Sequence, residues 1–264
     1  RHSLATLHMG GPLDRPDLFP AEVDRVRRWV MDVKNRRDGM ITVSEHLRQL
    51  VMADFGFPAD RIWSIPLGID DEFRRGRCPA PSRPRLLFVG WIRAAKNVPA
   101  VCAVFRKLLS KYPDLELMLV GKQEVDTATL HRWLGNDPLA IRQTILPGQI
   151  SLGGGQLADC YQSASVFLFP TYAEGWTSPP LEAMACGVPV VVSNASSLPE
   201  TVAGAALMAG PDDHDGLAEQ VDRLLADSAL RESYIERGLA RVAELSWQTM
   251  TERTARLYHH ITGV

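Results

Sequence analysis

Two glutamates, Glu174 and Glu182, frame a Gly-, Ser- and Pro-containing stretch with seven residues between them. The apolar run 166–169 ends at Pro170 and opens into this stretch, and Pro179 and Pro180 suit the first turn of a helix, where backbone N–H groups have no helical partner. The free N–H groups and the positive helix end at residues 178–181, Ser178 to Leu181, would attract an anion, and the flanking carboxylates would accept hydrogen bonds from hydroxyls. An anion in the middle with hydroxyls on both sides is the chemistry of a nucleotide sugar.

After Glu182 the chain continues Ala-Met-Ala-Cys-Gly-Val-Pro-Val-Val, then Ser193-Asn194 and Leu198-Pro199-Glu200. With these residues the segment resembles the Glu-x7-Glu signature of the family-4 retaining glycosyltransferases of GT-B fold. The resemblance implies that Glu182 holds the nucleotide ribose and Glu174 faces the donor sugar. It assigns the diphosphate to the loop backbone of Gly175, Trp176, Thr177 and Ser178. Thr177 stands where the family usually has Gly, and its Cβ bears on donor choice or loop geometry.

These residues need a scaffold of strands and helices. Residues 85–90 form a continuous apolar strand, as expected where a parallel sheet is covered on both faces, and a helix to about Lys111 follows the turn from Trp91 to Asn97. In the resembling family this turn carries basic residues that neutralise the donor diphosphate. That implies a catalytic role for Lys96, with Arg93 as a second phosphate contact. Gly90 and Gly121 end two strands, and such small residues let a ligand approach the strand ends, where open α/β sheets place their sites. A further strand is expected over 141–146, and the family uses the backbone after it, here Gly148, to hold the base. Residues 4–8 read as a strand ending at His8, which the resemblance places beside the donor sugar, with His8-Met9 in place of the usual His-Asp. His8, Lys96 and Glu174 are thus the expected catalytic residues.

The chain has 264 residues, 45% apolar and 23% charged, with a formal net charge of -2, so composition points to an ordinary globular protein and not to nucleic acid as a partner. Cys78, Cys102, Cys160 and Cys186 lack metal-ligand spacing, no apolar run approaches the ~20 residues of a membrane span, and reduced thiols in the cytoplasm follow most simply. Asp213-His214-Asp215 precedes a helical run and reads as capping, so no metal site and no cofactor are expected beyond the nucleoside diphosphate sugar itself. The helix over 22–37 is net basic, with Arg25, Arg27, Arg28 and Trp29. It fits either a solvated face packed on the sheet or a peripheral contact with the inner membrane face. The acceptor implied by the resemblance is a saccharide or a lipid-linked glycan.

The expected organisation is α/β with GT-B architecture, two doubly wound Rossmann-like domains, the first incomplete. Residues 1–73 form an acceptor-side remnant in which three strands are counted, against about six in a complete doubly wound domain. Residues 74–84 are a Pro- and Arg-rich linker, 85–246 the nucleotide-sugar domain, and 247–264 a C-terminal helix packing back on the first domain, with Trp247, Met250, Leu257 and Tyr258 as core. Gly153, Gly154 and Gly155 read as a loop. A chain beginning at Arg1 with half a domain would bind donor but transfer poorly unless another chain supplied the rest. Two other readings are open, a non-catalytic sugar-nucleotide-binding module or inactive fragment, and a GT-B nucleotide-sugar epimerase.

Overall fold

The computed structural model describes residues 3–76, 82–151, 153 and 155–263. Arg1, Cys78, Gly154 and the linker residues 77–81 lie outside them. The first unit runs β1 (Leu4–Leu7), α1 (Gly11–Asp14), α2 (Val23–Arg36), β2 (Gly39–Thr42), α3 (Glu45–Phe55) and β3 (Ile62–Ser64). Its three strands are parallel in the order β1-β2-β3, with Ala5 opposite Met40 and Met40 opposite Ile62. Val26, Val30 and Val33 form the buried stripe of α2, and Arg25, Arg27, Arg28 and Trp29 lie on its outer face.

The second unit runs β4 (Arg85–Val89), α4 (Val98–Leu109), β5 (Glu116–Val120), α5 (Thr127–Trp133), α6 (Pro138–Arg142), β6 (Thr144–Gly148), α7 (Gln156–Gln162) and β7 (Val166–Phe169). It continues with α8 (Ser178–Ala185), β8 (Val190–Ser193), α9 (Leu198–Val202), β9 (Leu207–Ala209), α10 (His214–Ala226) and α11 (Ser228–Ala243), and α12 (Trp247–Thr262) closes the chain. All six strands are parallel in the order β6-β5-β4-β7-β8-β9, the doubly wound arrangement. Leu86, Leu87 and Phe88 on β4 and all of β7 are buried, because helices cover both faces. The switch point lies between β4 and β7. The loops leaving their C-terminal ends diverge there and leave a crevice.

Three local expectations need correction. The strand expected over 141–146 starts only at Thr144: Asp137 accepts the N–H of Leu139 at 2.8 Å and Pro138 opens α6, so a capped helix takes Ile141. Trp247 and Tyr258, expected in the core, are exposed, because α12 turns one narrow stripe inward. In that stripe Leu257 is buried against Ile41 and Ile65, and Met250 and Ile261 pack around them, so α12 lies on the first sheet. Thirdly, Thr177 has φ -134 and ψ 118, extended backbone that any residue adopts, so the absence of Gly there does not distort the loop. The chain crosses between the units near Asp70, whose Oδ1 accepts the Trp247 indole N–H at 2.8 Å. Among the described residues no helix is long and apolar enough to cross a membrane.

Candidate functional site

The crevice at the switch point is a cleft of about 340 Å³. It gathers Gly90, Arg93, Lys96, Glu174, Trp176, Thr177 and Ser178 from the loops after β4 and β7. Lys96 ends a tight turn, and Asn97 after it holds a left-handed φ of 54° while its amide donates to the carbonyls of Pro170 and Pro211, each at 2.8 Å. That buried amide staples the start of α4 to the end of β7 and aims Lys96 across the crevice. Lys96 Nζ donates to Glu174 Oε1 at 2.6 Å, with the two side chains 21% and 11% exposed.

Glu174 is held by its backbone. Its N–H donates to Ser196 Oγ at 3.0 Å, and its carbonyl accepts the hydroxyls of Ser196 at 2.7 Å and Ser197 at 2.9 Å. Both serines precede α9, and nothing in their local sequence marks this role. Arg93 lines the cleft but is drawn aside: its guanidinium lies 4.8 Å from the Trp91 ring centroid and 5.6 Å from that of Phe19, with Nη1 3.5 Å from Glu124. The helix end is also poorer in donors than its position suggests. Pro179 and Pro180 carry no N–H, so Thr177 and Ser178 are the donors left ahead of Leu181, whose side chain is fully buried.

Glu182 lies one turn deeper on α8, on the face of Ser178. The Tyr161 hydroxyl donates to its Oε2 at 2.6 Å. Burial pushes the Glu182 carboxyl up to about 7; the Tyr161 bond works against this, and the charges of Asp70 and Glu72 add to it. Tyr161 is fully buried between Phe73 and Phe167, and burial raises its phenol well above the usual range. A Tyr followed by an apolar strand carries no local signal of this pairing.

The remaining expected residues lie around the crevice. Gly121 has φ +139°, and a Cβ there would overlap the Gly90 carbonyl, so glycine at 121 is required by strand packing itself, while Gly90 has φ +153° and a Cβ on it would press on the Phe88 ring. Gly148 is exposed at the end of β6, and its carbonyl accepts the Gly121 N–H at 2.9 Å. His8 is exposed just after β1, beside a groove lined by Met9 and Trp29 and not by the crevice residues. Its carbonyl nevertheless touches the loop bearing Glu174: a Cβ on Gly175 would overlap it, and a Cβ on Gly10 would sit 2.7 Å from Gly175 Cα. The two units thus meet backbone to backbone. Gly175→Ala is expected to cost about 1–3 kcal/mol of overpacking, read as a lowered denaturation midpoint. Asp213 caps α10 through the Gly216 N–H at 2.8 Å, and Asp215 pairs with Lys107.

Residues 70–241 match the family model of the glycosyl transferases group 1. The chain is 30% identical over 278 residues to the O-antigen chain mannosyltransferase B of Escherichia coli, covering 97% of this chain and 70% of that protein. It is 30% identical over 254 residues to the MMP alpha-(1->4)-mannosyltransferase of Mycolicibacterium hassiacum, covering 88% and 58%. Sucrose-phosphate synthase from Thermosynechococcus elongatus superposes with a TM-score of 0.80 at 25% identity over 98% of this chain and 68% of that one. S. aureus TarM, solved with Fondaparinux, alpha-GlcNAc-glycerol and UDP, superposes at 0.82 with 13% identity, over 97% and 50%. The chain therefore spans between half and about two thirds of the length of these proteins. Its fold is GT-B, and it belongs to the glycosyl transferases group 1 family.

Proposed function

We propose that these residues bind a nucleoside diphosphate hexose, and that the whole protein transfers the hexosyl group, with retention, to an acceptor hydroxyl in glycan or polysaccharide assembly. The observation that carries this reading is the Lys96–Glu174 pair across the switch-point cleft, with Glu182 one helical turn below it. A cation facing a sugar-binding carboxylate beside a helix N-terminus fits a sugar diphosphate bound with its phosphates at Lys96, its sugar at Glu174 and its ribose at Glu182. His8 would then lie on the sugar side, and Gly148 near the base.

In the step proposed, the bond from the anomeric carbon to the phosphate oxygen breaks with its electron pair left on the phosphate. Lys96 stabilises that charge as it grows. The acceptor oxygen bonds to the same face of the carbon, and its proton passes to the departing phosphate. Lys96 and the helix N-terminus do the neutralising in this reading, which calls for no divalent metal. The names of the relatives favour mannose as the hexose. A saccharide or lipid-linked acceptor is in keeping with the outer face of α2, where Arg25, Arg28 and Trp29 offer an anionic membrane a basic surface.

The test is calorimetric titration of the chain with GDP, UDP, ADP and dTDP. Saturable binding of one nucleotide, weakened in Lys96→Ala and Glu182→Ala, is expected. A folded chain that binds none of the four overturns the proposal.

A further inference from the structure

We propose that Glu200, outside the donor cleft, is a positioning residue for transfer: from the second unit it clasps the N-terminus of α3 in the first and so holds the loop of Glu174 against the residues after β1. This rests on the transfer reading above. Glu200 Oε1 accepts the N–H of Glu45 at 2.7 Å and Oε2 accepts that of His46 at 2.9 Å. Ser44 takes the next free amide of α3, that of Leu47, at 3.1 Å. A helix leaves its first N–H groups without partners and carries partial positive charge there, so a carboxylate bound through both oxygens suits the end electrostatically. Glu200 is itself anchored, since Arg241 donates to the carbonyls of Glu200 at 3.2 Å and Thr201 at 3.0 Å. Helix α9 and the first unit therefore cannot separate without breaking this cap.

The clasped helix end reaches the Glu174 loop by two further routes. Ser44 Oγ donates to the Gly175 carbonyl at 2.6 Å. His46 Nε2 lies 3.2 Å from Asp14 Oδ1, near enough for an ion pair, and Ser196 neighbours the Asp14 carboxylate. Ser196 is the residue that holds both the N–H and the carbonyl of Glu174. Loss of the Glu200 clasp leaves Lys96 and Glu182 where they are in the second unit, yet frees the first unit to move away from Glu174. A residue that acts in this way affects turnover and spares nucleotide binding.

The experiment compares the full chain with Glu200→Ala and the isosteric Glu200→Gln, which keeps the fold if the alanine variant does not. It measures amide exchange at Glu45 and His46, the dissociation constant of whichever of GDP, UDP, ADP or dTDP binds the unaltered chain, and turnover of the matching nucleotide sugar. Exchange at both amides is expected to rise tenfold or more and turnover to fall tenfold or more, while the dissociation constant changes less than threefold. Unchanged protection of the two amides would overturn the clasp. Unchanged turnover, or a dissociation constant that rises in step with the loss of turnover, would overturn the positioning role. If the unaltered chain binds no nucleotide, the transfer reading falls and the role with it, an outcome that needs no variant to detect.

Discussion

Lys96→Ala is expected to lower transfer turnover by about 10²–10³, the loss usual when a preorganised donor to developing charge is removed. The reason is that, among the described residues, Arg93 is the other cation lining the cleft. Arg93 is held over Trp91 and Phe19 and paired with Glu124, and Pro179 and Pro180 withdraw two of the amides that a helix N-terminus would otherwise offer. Lys96 is paired with Glu174, so a diphosphate must draw the ammonium away from that carboxylate. The exchange leaves Glu174 free to accept a sugar hydroxyl. Removing the lysine instead leaves Glu174 enclosed and without its cation, a cost to the free protein as well as to the reaction. Turnover at saturating acceptor, measured for Lys96→Ala and for the isosteric Lys96→Met, checks this; turnover within threefold of the parent in both would remove Lys96 from the chemistry.

Glu182 is expected to make nucleotide binding strengthen as pH rises through about 7, the value to which burial pushes its carboxyl. Ribose hydroxyls donate to the ionised form, and each hydrogen bond to a charged acceptor is worth about 1.5–3 kcal/mol, so Glu182→Ala should weaken nucleotide binding at pH 8 by roughly 10–100-fold. The stability of the free protein moves in the opposite sense. Between the ordinary glutamate value of 4.5 and about 7, the native state keeps a proton that the unfolded state has lost. Stability therefore falls as pH rises across that window and levels off above it, a total loss of roughly 3 kcal/mol at ~1.4 kcal/mol for each pH step of one. Glu182→Gln should flatten both profiles, in chemical denaturation and in titration. Tyr161→Phe deletes a bond that favours the ionised carboxylate and should move both midpoints upward. A binding profile without slope between pH 6 and 8 would refute the role of Glu182 in holding ribose.

The parts of the site visible in the chain are those within one element or one turn. The spacing from Glu174 to Glu182, the paired prolines at the start of α8 and the apolar strands β4 and β7 are local, and a strand covered on both faces must be apolar throughout. Capping residues such as Ser44 and Asp213 are local for the same reason, because a cap bonds an amide three residues on. Two local signals compete near β6: Asp137-Pro138 starts a helix, and it prevails over the strand that the apolar residues after it suggest.

What the sequence by itself determined is the apolar strands and helix starts of the second unit and the spacing of its two glutamates, because strand periodicity, helix starts and loop chemistry depend on neighbours along the chain; the doubly wound GT-B arrangement followed from the family resemblance. Only the tertiary structure decided which partners those groups would have. Tyr161 meets Glu182 across 21 positions, Lys96 meets Glu174 across 78, and Glu200 reaches the amide of Glu45 across 155. Arg93, a phosphate contact by its position in the turn, is instead claimed by two aromatic rings and Glu124 once the sheets are packed. Hydrogen bonds and ion pairs act over a few ångströms, so their partners are set by how helices dock on sheets and one unit on the other, and separation along the chain carries no record of that distance.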